Sequence, residues 1–447
     1  MNALPNKEIF KLGLTMFALF FGAGNIIFPP LLGQQSGTNV LLTILGFLIT
    51  GVGLPFLGVL AVSLSGSQLQ DLAGKAHPIF GAIFPIIVYL TIGPLFGLPR
   101  TATVSFEIGA SPFIPEAHQG LALALFSICF FAITAWLSLR PSKITDWFGN
   151  ILTPVLLGII ALIVIVAIIH PAGTSGTPMA PYDETPFSSG FVEGYLTMDA
   201  LAALVFAIII INSIKLKGIS DQKTITKITL KSGVISVFGL CLVYISLAWI
   251  GTTSRSIAPN AGNGGYILTQ ITHLQMGVFG QILLGIAVTL ACLTTAIGLT
   301  TACATYLSKI IPRLSYKIAV FGIITFTTIV ANIGLDQLIA ITLPVLVGIY
   351  PVAIVLIAAR FLHRWFKGHS EVYNFAMLAA GFIGLFDMLK AFKVEFSPIS
   401  GLLQYLPLYD EGLGWLVPAI LCGLIGFAIA TIRKKNSTYA QSLQSER

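Results

Sequence analysis

A glycine-rich tetrapeptide interrupts the first long apolar stretch of this sequence. Ile9 to Leu32 reads IFKLGLTMFALFFGAGNIIFPPLL, and Gly22-Ala23-Gly24-Asn25 lies near its middle. If a helix unwinds here, the first amides of the following half-helix become free hydrogen-bond donors at an end that carries roughly half a positive charge. The amides of Ala23 and Gly24 would suit an anionic group such as a carboxylate, because glycine lets a ligand approach the backbone closely.

The end of the preceding half-helix offers the opposite chemistry. Carbonyl oxygens released around Ala18 and Phe21 could coordinate a hard monovalent cation. The alternative is that the two glycines only allow tight helix packing, as small residues do in membranes. Asn25 and the Pro29-Pro30 pair that follows favour a break over a packing seam.

A second group of residues is rich in hydroxyls. Six threonines share the apolar stretch ILLGIAVTLACLTTAIGLTTACATYL: Thr289, Thr294, Thr295, Thr300, Thr301 and Thr305. The adjacent Thr294 and Thr295 lie near its middle, where their oxygens could bind a cation, and Thr300 and Thr301 are further candidates. Threonine hydroxyls also bond to carbonyls one turn back, so a purely structural role is the alternative.

Three ionisable residues fall within apolar stretches, where a charge costs about 2.5–3.5 kcal/mol at the centre of a bilayer. Asp199 could face the interior and attract an ammonium group or a cation; a carboxylate at the membrane interface is the alternative. Arg100 and Glu107 are seven residues apart, hence two turns apart on one helix face and roughly 10 Å along its axis. Each therefore needs another partner, in a structural charge network or in a transport role.

Membrane helices must position these residues. The 447-residue chain is 56% hydrophobic and 9% charged, whereas a soluble domain has roughly 25% charged residues. A helix needs about 20 apolar residues to cross a bilayer, and twelve stretches qualify. They begin near residues 8, 38, 78, 119, 147, 195, 228, 276, 316, 337, 373 and 412. The sequence thus predicts a single all-α integral membrane domain, 1–447, with about twelve transmembrane helices.

Some of these stretches depart from a straight span. The third, eighth and tenth exceed the minimum length, which predicts tilted or kinked helices. Prolines at 94, 99, 344 and 351 supply kink sites. Gly262 to Leu274 is too short and only moderately apolar, which predicts a re-entrant or capping helix outside the membrane.

Basic residues lie on one side of the predicted membrane. With the N-terminus inside, all of the 24 lysines and arginines except Arg100, Arg255, Lys390 and Lys393 fall on the cytoplasmic side. This asymmetry follows the positive-inside rule and predicts that both termini are cytoplasmic. The net charge of +7 therefore indicates topological anchors that can contact anionic membrane lipid, not a nucleic-acid-binding surface.

Catalytic and metal-binding motifs are missing from the sequence. It has no H-E-x-x-H, G-x-S-x-G or G-x-x-x-x-G-K-[ST] motif, its five cysteines show no C-x-x-C spacing, and its six histidines are dispersed. We expect neither an enzyme, nor a cofactor, nor a transition-metal site. The first apolar stretch is too long for a cleaved signal peptide and lacks an A-x-A-like site.

Three sequence blocks together resemble the bacterial branched-chain amino acid carrier family. They are FFGAGNIIFPP (Phe20 to Pro30), GPLFGLPRTATVSFEIGA (Gly93 to Ala110) and TMDALAALVFAIII (Thr197 to Ile210). The resemblance covers essentially the whole chain. One departure is Ala207, where the family's sixth-span block is expected to have glycine, and it leaves the unwinding point of that helix open.

The resemblance implies the fold of the bacterial leucine transporter. Spans one to five (residues 1–170) would form one repeat, and spans six to ten (190–368) an inverted second repeat. The two remaining helices and the C-terminal tail (369–447) are appended. Spans one and six would be the discontinuous helices that build the site, and inversion requires an odd number of helices per repeat, which five satisfies.

The resemblance also implies the activity, which is import of leucine, isoleucine and valine coupled to a cation gradient. The related fold places a hydroxyl pair on sodium near the middle of span eight, which assigns Thr294 and Thr295 to the cation together with the carbonyls of Ala18 and Phe21. The tetrapeptide 22–25 and Asp199 would bind the substrate. Its branched side chain needs apolar walls, for which Phe206, Ile208 to Ile210 and Phe106 are candidates.

Several alternatives stay open at this point. Sodium suits a site of hydroxyl and carbonyl oxygens, whereas a titrating Asp199 or Glu107 would suit protons. A channel would show a continuous polar file through its helices, and an intramembrane enzyme would show paired catalytic residues; neither is evident. The sequence predicts location in the bacterial plasma membrane, but determines neither the oligomeric state nor the preference among the three substrates, because a hydrophobic pocket discriminates a methylene by only about 1–3 kcal/mol.

Overall fold

A computed structural model describes residues 4–140, 144–259, 261–394 and 401–445 of the chain. Every regular element in these ranges is helical, which confirms the all-α prediction. The α-helices are α1 Asn6–Phe20, α2 Ala23–Ser36, α3 Val40–Leu48, α4 Leu54–Ser65, α5 Leu69–Ala73, α6 Pro78–Leu90, α7 Gly97–Gly109, α8 Gln119–Ser138, α9 Ile144–Trp147, α10 Thr153–Ile169, α11 Pro186–Glu193, α12 Asp199–Lys215, α13 Gln222–Thr252, α14 Gly264–Ile310, α15 Tyr316–Ala331, α16 Leu335–Leu362, α17 Ser370–Ala391 and α18 Leu416–Ser445. The predicted cytoplasmic residues Lys143 and Arg447 lie outside the described residues.

Within the described ranges, nine helical stretches are long and apolar enough to cross a membrane, and a tenth arises if α11 and α12 count as one bent span. The prediction of twelve differs for two reasons. α15 has only 16 residues. The break before α2 leaves α1 with 15 residues and joins α2 to the following helices as one stretch, Ala23–Ser65.

The first span is broken where the sequence predicts it. α1 ends at Phe20 and α2 begins at Ala23; Phe21 has φ −77° and ψ 91°, and Gly22 has φ −123° and ψ −155°. A Cβ atom added to Gly22 would lie 2.7 Å from Oγ1 of Thr295. Glycine is required there because α14 packs directly against the break.

The sixth span is broken nine residues before Ala207. A 3₁₀ turn, Gly194–Thr197, follows α11, and Met198 adopts the left-handed conformation (φ 66°, ψ 5°). The two halves meet at an angle of 43°. Because α12 then runs unbroken through Ala207, the missing glycine does not decide the unwinding point of this helix.

Two further spans are distorted. A π-helical turn, Thr91–Leu95, separates α6 from α7, and Gly93 within it has non-helical torsions (φ −80°, ψ −119°). In α14 the break is at Gly277 (φ 61°, ψ −151°), which sets off residues 264–276 at the position of the predicted short helix. The predicted kinks of the third and eighth spans are therefore present.

Contacts between Cα atoms divide the chain into two units, 1–67 with 87–342, and 68–86 with 343–447. The first unit contains both broken spans and all of the predicted site residues. In the second unit α17 packs against α18, where a Cβ added to Gly426 would lie 2.6 Å from the carbonyl oxygen of Glu371. The repeat boundaries expected from the sequence concern symmetry, which these contacts do not measure, and stay a prediction.

Candidate functional site

The breaks of the first and sixth spans meet around a buried cavity. It has a volume of about 30 Å³ and is lined by residues of α1, α2, α7, α12 and α14, among them Gly22, Gly24, Arg100, Asp199 and Thr295. A space of this size holds roughly two water molecules. The cavity therefore joins the predicted site residues but must widen to admit an amino acid.

Asn25 connects the two breaks through its side chain. Its Oδ1 accepts a hydrogen bond from the N–H of Gly22 at 2.9 Å, which caps α2. Its Nδ2 donates to the carboxylate of Asp199 and contacts the hydroxyl of Tyr244. Tyr244 in turn donates to Oδ2 of Asp199 at 3.1 Å. All three side chains are buried, so Asp199 is not the interfacial carboxylate of the alternative interpretation.

Asp199 begins α12 directly after the left-handed Met198, and its own N–H donates to Oγ1 of Thr197 at 3.3 Å. Ala23 and Gly24 are the first two residues of α2, where N–H groups have no acceptor within the helix. Backbone donors and a carboxylate thus line the same cavity. This arrangement suits a ligand that carries both signs of charge.

Arg100 and Glu107 occupy different environments. Arg100 is only 3% exposed, and its Nη2 donates to the carbonyl oxygen of Leu196 at 2.7 Å. Glu107 is exposed. The structure therefore brings Arg100, but not Glu107, to the cavity.

Thr294 and Thr295 reach the end of α1 from α14. The hydroxyl of Thr294 donates to the carbonyl oxygens of Ala18 at 3.0 Å and Ala291 at 2.8 Å. The hydroxyl of Thr295 lies 3.3 Å from the carbonyl oxygen of Leu19 and 3.4 Å from that of Phe21. The four residues predicted to bind a cation are thus brought together, and each hydroxyl oxygen keeps lone pairs for a ligand.

The predicted apolar walls are only partly in place. Phe206 does not line the cavity but lies behind it, with its ring centroid 6.2 Å from that of Phe20, which does. Phe106 packs against Phe126 at 5.7 Å. Four other apolar side chains line the cavity: Leu19, Ile92, Ala202 and Leu299.

A second cavity of about 430 Å³ lies at the C-terminal end of α12. Ile208 and Ile209 line it together with Asn212, Lys215 and Thr301. These two isoleucines therefore face a different space from the one that holds Asp199. Thr300 is buried and lines neither cavity.

Sequence analysis missed Tyr244, Thr197 and the carbonyl groups of Leu19 and Leu196. A tyrosine hydroxyl inside the apolar α13 is a signal that could have identified Tyr244, because a buried phenol needs a hydrogen-bond partner. The two carbonyl groups carry no signal in the sequence. They become available only through the backbone breaks beside them.

Fold and site together define a multi-pass membrane transport protein of the leucine-transporter type. Two broken helices, a buried cavity at their junction and oxygen ligands on a facing helix are the features of such transporters. The chain belongs to the branched-chain amino acid transport protein family, whose sequence profile matches residues 5–433.

Relatives of known name agree with this assignment. The branched-chain amino acid permease BraB of Bacillus subtilis is 46% identical over 429 residues, which cover 96% of each chain. The branched-chain amino acid transport system 2 carrier protein of Pseudomonas aeruginosa is 44% identical, over 94% of this chain and 95% of its own. The permease BrnQ of Escherichia coli K12 is 41% identical over the same shares. These relatives are transporters and not enzymes.

Solved structures support the fold. A nucleobase-cation-symport-1 family transporter, in a closed conformation with bromovinylhydantoin bound, aligns with a TM-score of 0.61 over 96% of this chain and 93% of its own, at 14% identity. MhsT in complex with L-phenylalanine aligns with a TM-score of 0.58 over 86% of this chain and 98% of its own, at 15% identity. At these identities the likeness concerns the fold alone.

Proposed function

We propose that this protein imports leucine, isoleucine and valine across the bacterial plasma membrane by sodium symport, with both termini in the cytoplasm. The observation that carries the proposal is the junction of α1 and α2. Carbonyl oxygens of Ala18 and Phe21 meet the hydroxyls of Thr294 and Thr295 on one side of it. On the other side, the first amides of α2 and the carboxylate of Asp199 share a cavity.

The substrate would bind as a zwitterion. Its carboxylate would accept from the amides of Ala23 and Gly24 at the positive end of α2. Its ammonium group would lie against Asp199, whose carboxylate Asn25 and Tyr244 hold in place. The aliphatic side chain would contact the apolar walls of the cavity, which demand shape and little hydrogen bonding.

The cation would bind on the far side of the same break. Backbone carbonyl and hydroxyl oxygens are hard ligands that suit sodium, and they are supplied here without any titrating side chain. Sodium would then stabilise the unwound segment that forms the substrate site. Substrate and ion would thereby be coupled through one piece of backbone.

Alternating access would require the site to change its volume. A cavity of about 30 Å³ closed on both sides corresponds to a contracted state. Movement of the half-helices α1 or α12 about their breaks would widen it toward one side of the membrane at a time. The second cavity at the end of α12 would lie on the route to the cytoplasm.

Proton symport of the same substrates is the second candidate. The observation that favours it is the buried carboxylate of Asp199, which could carry a proton instead of facing an ammonium group. A channel has less support, because the cavity is enclosed by side chains of five helices.

Uptake of radiolabelled leucine into proteoliposomes that contain the full chain tests the proposal. An inward sodium gradient at equal pH should drive accumulation above equilibrium, and a pH gradient in sodium-free buffer should not. Equal accumulation under the pH gradient alone would replace sodium by protons. Equilibration without accumulation under both gradients would contradict symport, and protein-free liposomes provide the background.

A further inference from the structure

Arg100 lies against the backbone of the first break. A Cβ atom added to Gly24 would come within 2.0 Å of its Nη2 atom and 3.0 Å of the Cα of Thr197. The side chain is 3% exposed and lines the same cavity as Asp199. The carbonyl oxygen of Leu196 accepts from Nη2, and Cζ lies 5.0 Å from the ring centroid of Phe28. These contacts fix the plane of the guanidinium group beside the first turn of α2.

This placement concentrates positive charge at one end of the cavity. The start of α2 already carries a partial positive charge, and a guanidinium group next to it is repelled by the helix dipole. Of the described residues that line the cavity, Asp199 alone is acidic, and it is engaged by Asn25 and Tyr244. An anion placed between the guanidinium group and the amides of α2 would relieve this repulsion.

We infer that Arg100 binds the substrate carboxylate together with the amides of Ala23 and Gly24, and so selects amino acids over the corresponding amines and amides. This inference rests on the proposed function and names the group that recognises one end of the substrate. A planar guanidinium can pair with both carboxylate oxygens, which a helix N-terminus alone cannot enforce. Arg100 and Asp199 then read the two charges of a zwitterion at opposite ends of the site.

The glycine at position 24 has a specific place in this arrangement. Any side chain there would displace Nη2 from the backbone, since 2.0 Å is far below a van der Waals contact. Gly24 therefore serves the guanidinium group as well as the ligand. The third span, which carries Arg100 four residues after the end of its π-helical turn, thereby becomes part of the substrate site.

The test compares leucine with L-leucinamide, in which a neutral amide replaces the carboxylate. Ligand-dependent shifts of the thermal midpoint of the purified full chain in sodium chloride give both dissociation constants. The wild type should bind leucine at least about tenfold more tightly than leucinamide, which is the order expected for a charge-assisted bidentate contact. In Arg100→Gln this preference should fall to within about threefold, mainly through weaker leucine binding.

The control is Arg313→Gln, which removes an exposed arginine from the loop between α14 and α15 and should keep the wild-type preference. If Arg100→Gln does not fold, Arg100→Lys takes its place, because it keeps the charge but loses the planar fork and should still lower the preference. An unchanged preference in the folded Arg100 variant would overturn the inference. Absence of leucine binding and uptake in the wild type would instead overturn the proposed function.

Discussion

At the scale of single residues, the site depends on side chains that serve two elements at once. Asn25 caps α2 with its oxygen and holds Asp199 of α12 with its nitrogen. Thr294 bonds to its own helix at Ala291 and to α1 at Ala18. Loss of either partner would leave a buried polar group unsatisfied, which costs about 1–3 kcal/mol.

The hydroxyl pair provides the residue-scale prediction. Thr294→Val and Thr295→Val keep the side-chain shape but remove one oxygen each, so the sodium concentration for half-maximal uptake should rise at least about fivefold, the size of one lost ligand contact. Leucine uptake as a function of sodium concentration measures it. Thr328→Val is the matched control, because its hydroxyl bonds only to the carbonyl oxygen of Ile324 in the printed contacts of α15. The same sodium dependence in all three variants would assign the pair to helix structure alone.

At the scale of elements, close packing holds the broken helices in place. The break after α1 persists because Thr295 of α14 and Arg100 of α7 occupy the space beside Gly22 and Gly24. The break before α12 depends on the left-handed Met198, a conformation that is uncommon for a residue with a side chain. Backbone groups freed by such breaks are tolerated in a membrane because they face protein or ligand and not lipid.

Alanine substitutions of glycine test the first break. Gly22→Ala and Gly24→Ala would place Cβ atoms 2.7 Å and 2.0 Å from neighbouring side-chain atoms, and overpacking of this kind costs about 1–3 kcal/mol. Leucine binding should weaken by about tenfold or more while membrane insertion persists. Scintillation proximity binding, normalised to the amount of folded protein, gives the result.

Gly322→Ala is the control for the glycine series, since a Cβ there meets nothing within 4 Å. It should bind leucine like the wild type. Wild-type binding in both Gly22→Ala and Gly24→Ala would show that these glycines are ordinary packing residues. The substrate site would then lie elsewhere.

At the scale of the whole molecule, both ligands would act through one segment of backbone. The proposed ion site uses the carbonyl groups at the end of α1, and the proposed substrate site uses the amides at the start of α2. Only Phe21 and Gly22 separate the two helices. Binding at either site would stabilise the unwound segment that the other site needs, which couples the two affinities.

Reciprocity of this coupling is the prediction at this scale. Saturating sodium should lower the dissociation constant for leucine by about tenfold, and saturating leucine should lower that for sodium by the same factor. Isothermal titration of the purified full chain measures both, with choline replacing sodium as the control ion. Leucine affinity that is equal in sodium and choline would contradict the shared segment.

Much of the architecture follows from the sequence because it depends on local properties. Apolar length alone places the helices, since a backbone in hydrocarbon must satisfy its own hydrogen bonds. The break at Gly22 and the hydroxyl pair on α14 are recognisable because polar or helix-breaking residues inside an apolar run are costly and need a reason. The family resemblance, now confirmed by the match over residues 5–433, added the assignment of these features to a transporter.

The tertiary structure alone decided which of these groups meet. Asn25 and Asp199 are 174 residues apart, and Asp199 and Tyr244 are 45 apart, so no local pattern relates them. The break of the sixth span lies at Met198 and not near Ala207, because α11 and α12 pack at an angle that the composition of the span does not encode. Arg100 reaches Gly24 through the fold, and contacts between distant segments, not helix propensity, therefore determine the chemistry of the cavity.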